Sequence, residues 1–400
     1  MPINITPSRR LQSLSGYAFA EVEKMVATLR AQGVEPIDFG VGDPLDPTPP
    51  FIRSALQESV ERHACTGYPS YIGSKSFRTE AANWMQRRFG VDLDPDTEIS
   101  STIGSKEAIF NFPEAILNPG DVVIIPSPGY PPMKTGTVFA EGIPYFVPLL
   151  PENNFLLDFE SITEEVAKKA KIIWINYPNS PTGAVASKEY YKGLIAWARK
   201  YDILIAADEG CYIDIYFDEK PPSILEVERE GIIAFYSLSK RNNMTGYRVG
   251  FVAGDKNIIS LFKKLKTNID SGTPNFIQDA AAVALADETH VQEMRELYRE
   301  KRSIMLSAFR DIGLPVRESP ATFYLWQKAP VGMTSLDFTK RLLEKDIAIV
   351  TTPGSWISDV CASGVNPGEG YVRFALVPTV ELCKEAATRL RKGLAKMLIT

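Results

Sequence analysis

Short apolar runs alternate with amphipathic stretches between residues 51 and 285. The runs are "DVVIIP" from Asp121, "KIIWIN" from Lys171, "DILIAAD" from Asp202, "GIIAFYSLS" from Gly231 and "RVGFVAG" from Arg248. Runs of this length are typical of parallel strands buried on both faces, and the amphipathic stretches are typical of helices that cover such a sheet. The pattern therefore predicts a large α/β domain over residues 51–285, with a mostly parallel central sheet flanked by helices.

The pattern changes after residue 285. A long charged helical stretch starts at His290, the β-like segments "TFYLWQKA" and "YVRFAL" follow, and a closing helix is expected from Val380 to Leu398. These features predict a smaller α+β domain over residues 286–400, which the N-terminal segment, residues 1–50, is expected to join. Two helix starts are also expected: Thr48 as the N-cap of a helix beginning at Pro49, and Ser187 at the start of "SKEYYKGLIAWARKY".

Charge and composition narrow the class of partner. The 400 residues carry a net charge of −5, which provides no basic field for nucleic acid or an anionic membrane surface. The chain has 4 cysteines without a CxxC pair and 2 histidines, so local spacing assembles no metal site. No run approaches the roughly 20 apolar residues of a spanning helix. We expect a cytoplasmic protein that acts on small molecules.

Polar residues cluster where the predicted strands end, which is where open α/β sheets bind ligands. They are Gly104, Ser105 and Lys106; Asn176, Asn179 and Ser180; Asp208, Glu209 and Tyr212; and Ser237, Ser239, Lys240 and Arg248. The first group lies between a strand and a helix start, where backbone N–H groups favour a phosphate. Hydroxyls, an acid, an arginine and a lysine suit a phosphorylated cofactor whose aldehyde the lysine captures as a Schiff base.

Seven motifs in the same order resemble the class I/II aminotransferases, which are pyridoxal-phosphate enzymes of fold type I. They are "GVGDPLDPTPP", "GYPSYIGSKSFR", "IGSKEAI", "PSPGYPP", "NYPNSPTG", the S-x-S-K-x7-R pattern at Ser237, Ser239, Lys240 and Arg248, and "YVRFAL". The resemblance covers the chain from Asp38 nearly to its C-terminus. Within the family, "KTNIDSGTPNFIQDAAAVAL" and the first two motifs are most similar to the branch of LL-diaminopimelate and succinyl-diaminopimelate aminotransferases.

The resemblance implies a role for each matching residue. Lys240 would bind pyridoxal phosphate covalently and move the proton at the substrate α-carbon, with Asp208 on the pyridine nitrogen and Tyr212 on the phenolic oxygen. Ser237, Arg248 and the turn of Gly104, Ser105 and Lys106 would hold the phosphate, Ser239 would also contact the cofactor, and Tyr130 would stack on the ring. Tyr68 would reach the phosphate of a neighbouring subunit, which implies a homodimer. Arg373, helped by the Gly42 backbone, would bind the substrate α-carboxylate.

Two positions depart from the family pattern. Ser180 stands where the family has an asparagine that contacts the phenolic oxygen, with Asn179 one residue earlier. Asp208 lies four residues before Tyr212 and Glu209 lies three before, whereas the family spacing is three. Asp208 is favoured, because it directly follows the apolar run, but a one-residue shift in the turn is then needed.

The predicted reaction is amino-group transfer between an amino acid and a 2-oxo acid, with a diaminopimelate-type substrate and the 2-oxoglutarate/glutamate pair. Aspartate transamination and C–S β-elimination are the alternatives. A transcription regulator is disfavoured, because only about 37 residues precede Asp38. Outside the motifs, His63 and His290 are expected on helix surfaces, Cys211 is expected as a small buried filler, and Arg241 has no assigned role.

Overall fold

The computed structural model describes residues 3–14 and 20–394, and its strands are numbered in chain order. They are β1 (Ile37–Asp38), β2 (Ile99–Thr102), β3 (Val122–Ser127), β4 (Ile143–Pro148), β5 (Ala170–Ile175), β6 (Leu204–Gly210), β7 (Ile232–Ser237), β8 (Gly250–Gly254), β9 (Tyr324–Lys328), β10 (Ile349–Val350), β11 (Thr352–Pro353) and β12 (Tyr371–Ala375). The larger sheet has the order β2-β8-β7-β6-β5-β3-β4. It is the mostly parallel sheet that the apolar runs predict.

Helices connect and cover these strands. They are α1 (Arg9–Gln12), α2 (Ala20–Ala31), α3 (Pro50–Arg62), α4 (Lys75–Phe89), α5 (Gly104–Asn111), α6 (Pro131–Phe139), α7 (Glu164–Lys169), α8 (Lys188–Lys200), α9 (Leu238–Arg241), α10 (Lys256–Lys266), α11 (Asn275–Ala286), α12 (Thr289–Asp311), α13 (Ser335–Leu342) and α14 (Val380–Leu394). Within the described residues, no helix combines the length and apolar character needed to cross a membrane. The closing helix is present, and residues 395–398 of its predicted range lie outside the described residues.

Strand β8 runs antiparallel to both of its neighbours, β2 and β7. The expectation of a parallel strand at "RVGFVAG" is therefore wrong. Parallel neighbours need a crossover of about a dozen residues or more, usually a full helix. The link from β7 to β8 holds only the four-residue helix α9 and a short 3₁₀ turn, Thr245–Tyr247, so the chain turns back on itself instead.

The C-terminal part of the chain has its own core. Strands β11, β12 and β9 form an antiparallel sheet, and β1 pairs with β10. Ile37 and Phe39 of the N-terminal segment are buried in the same cluster as Phe323, Phe374 and Leu390. This packing supports the division that we propose, with residues 1–50 and 286–400 in a small domain and residues 51–285 in a large domain.

The two expected helix starts have different outcomes. Ser187 is the N-cap of α8, where its side chain accepts a hydrogen bond from the Tyr190 N–H. Thr48 does not cap α3, because the residue before that helix is Pro49. The Thr48 hydroxyl instead donates to the carbonyl oxygen of Asn243, at 2.5 Å. It therefore fastens the N-terminal segment to the turn that follows Lys240.

His290 is buried, so its expected place on a helix surface is wrong. Its two ring nitrogens contact Asp287 Oδ1 at 3.0 Å and Asn242 Nδ2 at 2.6 Å, and Phe51 of α3 packs against its ring at a centroid distance of 5.2 Å. Burial lowers the pKa of His290. The helical pattern of α12 alone did not show that its first turn would face α3.

Candidate active site

The carboxyl ends of β5, β6 and β7 and the start of α5 surround a cavity of about 370 Å³. Its lining contains most of the polar residues that the motifs single out. They are Gly42, Ser105, Lys106, Tyr130, Ser180, Asp208, Tyr212, Ser237, Ser239, Lys240 and Arg248. Asn176, which the strand-end pattern also indicates, lines the cavity too, and four further lining residues had no predicted role in binding: Asp43, Cys211, Thr245 and Tyr324. The fold thus brings separate motifs to one edge of the sheet.

Lys240 reaches into the middle of this cavity from α9. Its Nζ donates to the Gly42 carbonyl oxygen at 2.5 Å and lies 4.0 Å from Asp43 Oδ1, and its side chain is 14% exposed. Burial is the main cause that lowers the pKa of Lys240, and the positive charges of Arg248 and Arg373 lower it further. The lowered pKa makes the neutral amine, which is the form that acts as a nucleophile or a base, easier to reach than it is in water.

Asp208 and Glu209 are adjacent but occupy different environments. Asp208 lines the cavity, and its Oδ1 is buried without a hydrogen-bond partner among the described residues. Glu209 lies outside the cavity lining, where its carboxylate accepts hydrogen bonds from the Ile224 N–H at 2.7 Å and the Tyr236 hydroxyl at 2.9 Å. Burial raises the pKa of both carboxyl groups to about 7.

A β-bulge accounts for the unusual spacing between the acid and the tyrosine. Asp208 pairs with Phe235 and Gly210 pairs with Tyr236, so Glu209 is an extra residue in the ladder between β6 and β7. A side chain on Gly210 would meet the Tyr236 backbone at 2.1 Å, so this position requires glycine. Asp208 therefore keeps its position in the ladder, and the bulge at Glu209 accommodates the one additional residue between Asp208 and Tyr212.

The start of α5 and Arg248 form a cationic end of the cavity. Gly104 has a φ of +71°, and a Cβ there would lie 2.4 Å from the Arg248 guanidinium. No side chain caps α5, so the first N–H groups of this helix keep the positive end of its dipole available to an anion. Ser237 and Ser239, whose hydroxyls are 3.0 Å apart, line the same cavity.

The turn after β5 separates Ser180 from Asn179. Ser180 lines the cavity. Asn179 is fully buried, and its Oδ1 accepts hydrogen bonds from the Thr182 N–H and hydroxyl, at 3.1 and 2.7 Å. Asn176 also lines the cavity, and its side-chain amide donates to the Asp208 carbonyl oxygen at 2.7 Å. The structure therefore brings Ser180 and Asn176 to the site and leaves Asn179 in the turn beneath it.

Tyr212 and Arg373 meet around Tyr324. The hydroxyls of Tyr212 and Tyr324 are 3.0 Å apart, and the Arg373 guanidinium lies 4.7 Å from the centre of the Tyr324 ring. Arg373 Nη2 donates to the Gly40 carbonyl oxygen at 2.8 Å, while its Nε is buried without a partner among the described residues. Tyr324 was not predicted, because its position depends on the pairing of β9 with β12 and not on a local motif.

Cys211 is not the buried filler that its size suggests. It lines the cavity, with its Sγ 3.4 Å from the Ser105 hydroxyl. Tyr68, by contrast, does not reach the cavity and is 90% exposed.

Comparison with known proteins identifies the chemistry that this arrangement serves. The sequence family described as aminotransferase class I and II matches residues 34–390.

The chain belongs to this family and is an aminotransferase. It is similar to the LL-diaminopimelate aminotransferase of Aquifex aeolicus, with 48% identity over 388 residues, 96% of this chain and 98% of that protein. Among solved structures it is similar to BacF of Bacillus subtilis, with a TM-score of 0.90, 33% identity and 98% of each chain covered. A probable N-succinyldiaminopimelate aminotransferase of Thermus thermophilus has a TM-score of 0.85 and 31% identity, over 94% of this chain and 100% of that one.

In this aminotransferase Arg241, next to Lys240, has a structural place. Its Nε donates to Asp214 Oδ2 at 2.6 Å, and Arg88 donates to the other oxygen of Asp214 at 2.9 Å. Arg241 also pairs with Glu288 and packs over the Trp84 ring. Breaking a buried pair leaves an uncompensated charge, which is strongly unfavourable. The cluster therefore holds the backbone on which Lys240 is mounted.

Proposed function

We propose that this aminotransferase uses pyridoxal phosphate to move an amino group between LL-diaminopimelate and a 2-oxo acid, with 2-oxoglutarate and glutamate as the second pair. One observation carries the cofactor assignment: the buried, unpartnered Asp208 Oδ1 lines the same cavity as Lys240 and the cationic end at Arg248. A buried carboxylate oxygen without a donor is unfavourable unless a ligand supplies one. A protonated pyridine nitrogen is such a donor.

The residues of the cavity fit the remaining groups of this cofactor. The uncapped N-terminus of α5, Arg248 and the Ser237 hydroxyl would hold the phosphate, since both helix dipole and guanidinium favour a dianion. Tyr130 would pack against the ring. The Ser180 hydroxyl or the Asn176 amide would contact the phenolic oxygen, because both residues line the cavity and Asn179 does not.

When bound, pyridoxal phosphate supplies an aldehyde that takes up the amino group and a ring that withdraws electrons from the substrate α-carbon. Arg373 would bind the α-carboxylate of each substrate, beside the Gly42 backbone, and so orient the α-carbon towards Lys240. Lys240 would hold the cofactor covalently and carry the proton to and from the α-carbon. Its lowered pKa supports this role, because a protonated amine cannot accept that proton.

The choice of amino donor rests on relatives. The Aquifex protein named LL-diaminopimelate aminotransferase is 48% identical over almost the full length of both chains. Identity at this level favours the same substrate class over the aspartate transamination that the motifs also allow. We further propose that the enzyme is a cytoplasmic homodimer, in which the exposed Tyr68 of one subunit reaches the phosphate in the other.

The test is an assay of the purified enzyme with pyridoxal phosphate, LL-diaminopimelate and 2-oxoglutarate. Glutamate should form, and borohydride reduction should leave the pyridoxyl label on Lys240. Asp208→Asn should lower turnover by several orders of magnitude, and Glu209→Gln, its matched neighbour, should retain most of it. A label on Lys106 would refute the assignment of the lysine.

Other results would redirect the proposal. Faster turnover of aspartate than of diaminopimelate would keep the aminotransferase and reject the substrate. Pyruvate and ammonia released from cystathionine without an oxo acid, together with no glutamate from any amino donor, would show a C–S β-lyase instead.

A further inference from the structure

A second cleft adjoins the active site on the other side of Tyr130. It has a volume of about 440 Å³ and lies between α6 and the segment that follows β11. Its lining includes Tyr130, Lys134 and Phe146 from the large domain, and Trp356, Ser358 and Asp359 from the small domain. Because Tyr130 lines both spaces, this cleft borders the active-site cavity.

An accessible ion pair spans the cleft. Lys134 Nζ pairs with Asp359 Oδ1, and the two side chains are 35% and 34% exposed. The Lys134 ammonium also lies 5.6 Å from the centre of the Phe146 ring. Because both charged groups can be reached from the cleft, each of them can leave its partner and pair with an opposite charge on a ligand.

The backbone of Asp359 is held in place. Its N–H donates to the Ser127 Oγ at 2.9 Å, and the Ser127 hydroxyl donates to its carbonyl oxygen, also at 2.9 Å. Ser127 ends β3 of the central sheet, so the backbone of Asp359 is fastened to that sheet. A preorganised charge loses less entropy on binding than a mobile one.

The same segment connects the pair to the carboxylate site. Arg373 Nη2 lies 3.3 Å from the Thr352 hydroxyl in β11. From Thr352 the chain continues through the 3₁₀ turn Gly354–Trp356 to Asp359. One short stretch of backbone therefore borders both the proposed α-carboxylate site and the ion pair.

We propose that Lys134 and Asp359 form a subsite for the second amino-acid group of the substrate, with Lys134 on its carboxylate and Asp359 on its ammonium. This inference rests on the proposed function, since LL-diaminopimelate carries an ammonium and a carboxylate at its far end. A distal zwitterion would replace the ion pair between Lys134 and Asp359 by two ion pairs with the substrate. Every charge in the subsite would then have an opposite charge beside it.

The pair also discriminates against donors with one distal charge. A distal carboxylate alone, as in 2-aminopimelate, gains Lys134 but meets the like charge of Asp359. A distal ammonium alone, as in lysine, gains Asp359 but meets Lys134. Like-charge contacts of this kind are a common source of specificity. The wild-type enzyme should therefore prefer the zwitterionic donor to both.

The test compares kcat/KM of Lys134→Met and Asp359→Asn for four donors: LL-diaminopimelate, 2-aminopimelate, lysine and 2-aminobutyrate. Lys134→Met should lose about tenfold with diaminopimelate and with 2-aminopimelate, and it should gain with lysine. Asp359→Asn should lose about tenfold with diaminopimelate and with lysine, and it should gain with 2-aminopimelate. With 2-aminobutyrate, which has no distal charge, neither variant should change.

Controls separate this subsite from a purely structural link between domains. Lys134→Arg should restore diaminopimelate turnover, and Lys168→Met, which removes an exposed pair with Glu164 far along the chain, should leave all four donors unchanged. Calorimetric binding of each donor to the borohydride-reduced protein, in which the cofactor is fixed to Lys240 and cannot take up the amino group, gives the same comparison without chemistry. An equal loss with all donors, or no change with any, would overturn the proposal. If the wild type does not turn over diaminopimelate but the two variants still respond in opposite directions to lysine and 2-aminopimelate, the proposed substrate is refuted and the subsite is not.

Discussion

The protonation of Asp208 and Lys240 depends on burial as much as on partners. Burial and the neighbouring Glu209 raise the pKa of Asp208 to about 7. Burial lowers the pKa of Lys240. Both shifts disfavour the charged form, which is the expected behaviour of groups that wait for a ligand to complete their environment. The two residues thus give up some stability for function.

The raised pKa of Asp208 predicts how the stability of the ligand-free protein depends on pH. Between about pH 4 and pH 7 the native carboxyl binds a proton that the unfolded one has released, so the free energy of unfolding falls as pH rises. Asp208→Asn removes this contribution. Its melting temperature should exceed that of the wild type at pH 8, with a difference that shrinks towards pH 4. An equal difference in melting temperature between the two proteins at pH 4 and pH 8 would contradict the raised pKa of Asp208.

The thiol of Cys211 offers a test of where the cofactor lies. Burial raises its pKa to about 12, so iodoacetamide should react slowly with it in the ligand-free protein. Pyridoxal phosphate should block even this reaction, because Cys211 lines the cavity. The exposed Cys65 should react rapidly in both cases and serves as the internal control. Peptide mapping that shows equal labelling of Cys211 with and without cofactor would contradict the proposed position.

At the scale of elements, the cavity exists because several strand and helix ends meet at one edge. The start of α5 contributes N–H groups, while β5, β6 and β7 contribute polar residues just beyond their last apolar position. The close approach between α5 and Arg248 is possible only because residue 104 has no side chain. Arg248 therefore adds a second cationic group beside the N-terminus of α5.

A pair of glycine variants isolates that close approach. Gly104 and Gly90 have the same φ of +71°, but a Cβ on Gly90 has nothing within 4 Å. Alanine at either position should cost about 1–2 kcal/mol of stability through backbone strain. Only Gly104→Ala should also weaken pyridoxal phosphate binding, by about tenfold or more, because it displaces the Arg248 guanidinium. Equal cofactor affinities in a fluorescence titration of the two variants would refute the phosphate site.

Local sequence signals were sufficient for much of the fold and for the lining of the site. Strands such as β5 are recognisable in the sequence as continuous apolar runs. The residues that follow them line the cavity, because open α/β sheets bind ligands at the carboxyl ends of their strands. Lys240, Ser237 and Arg248 lie within one short motif, so their spacing could be interpreted directly.

The features that were missed depend on contacts between distant segments. Tyr324 reaches the cavity through the pairing of β9 with β12, and His290 is buried because α12 begins against α3. The direction of β8 depends on the length of a link, not on the composition of the strand. Thr48 has a side chain that often caps helices, but its hydroxyl donates to the distant Asn243 carbonyl oxygen instead, and no local pattern encodes that contact.

At the scale of the whole molecule, the active site combines both proposed domains. Lys240 of the large domain donates to the Gly42 carbonyl of the N-terminal segment, and Tyr212 contacts Tyr324 of the small domain. Tyr68 and Ile269 are exposed on adjacent loops, where Gly272 packs closely on the Ser70 backbone. Exposed apolar side chains on neighbouring loops fit an interface with a second subunit.

Hybrid dimers test the role of Tyr68 across that interface. Tyr68→Phe should weaken cofactor binding in the homodimer, while Lys240→Ala should abolish covalent attachment. A hybrid of the two variants has one site with an intact Lys240 and a Tyr68 donated by the other chain. That site should bind pyridoxal phosphate with wild-type affinity, measured by absorbance on purified hybrids. An affinity that stays as weak as in the Tyr68→Phe homodimer would show that Tyr68 does not act in trans.

The bulge at Glu209 gives this enzyme a form of modularity. Asp208 is positioned by the sheet before the extra residue, and Tyr212 is positioned by the loop after it, next to Tyr324. A further insertion or deletion in this loop would move the Tyr212 hydroxyl relative to Lys240 and leave the Asp208 carboxyl where it is. The two sides of the bulge can therefore vary in length independently, because the sheet fixes the acid and the loop fixes the phenol.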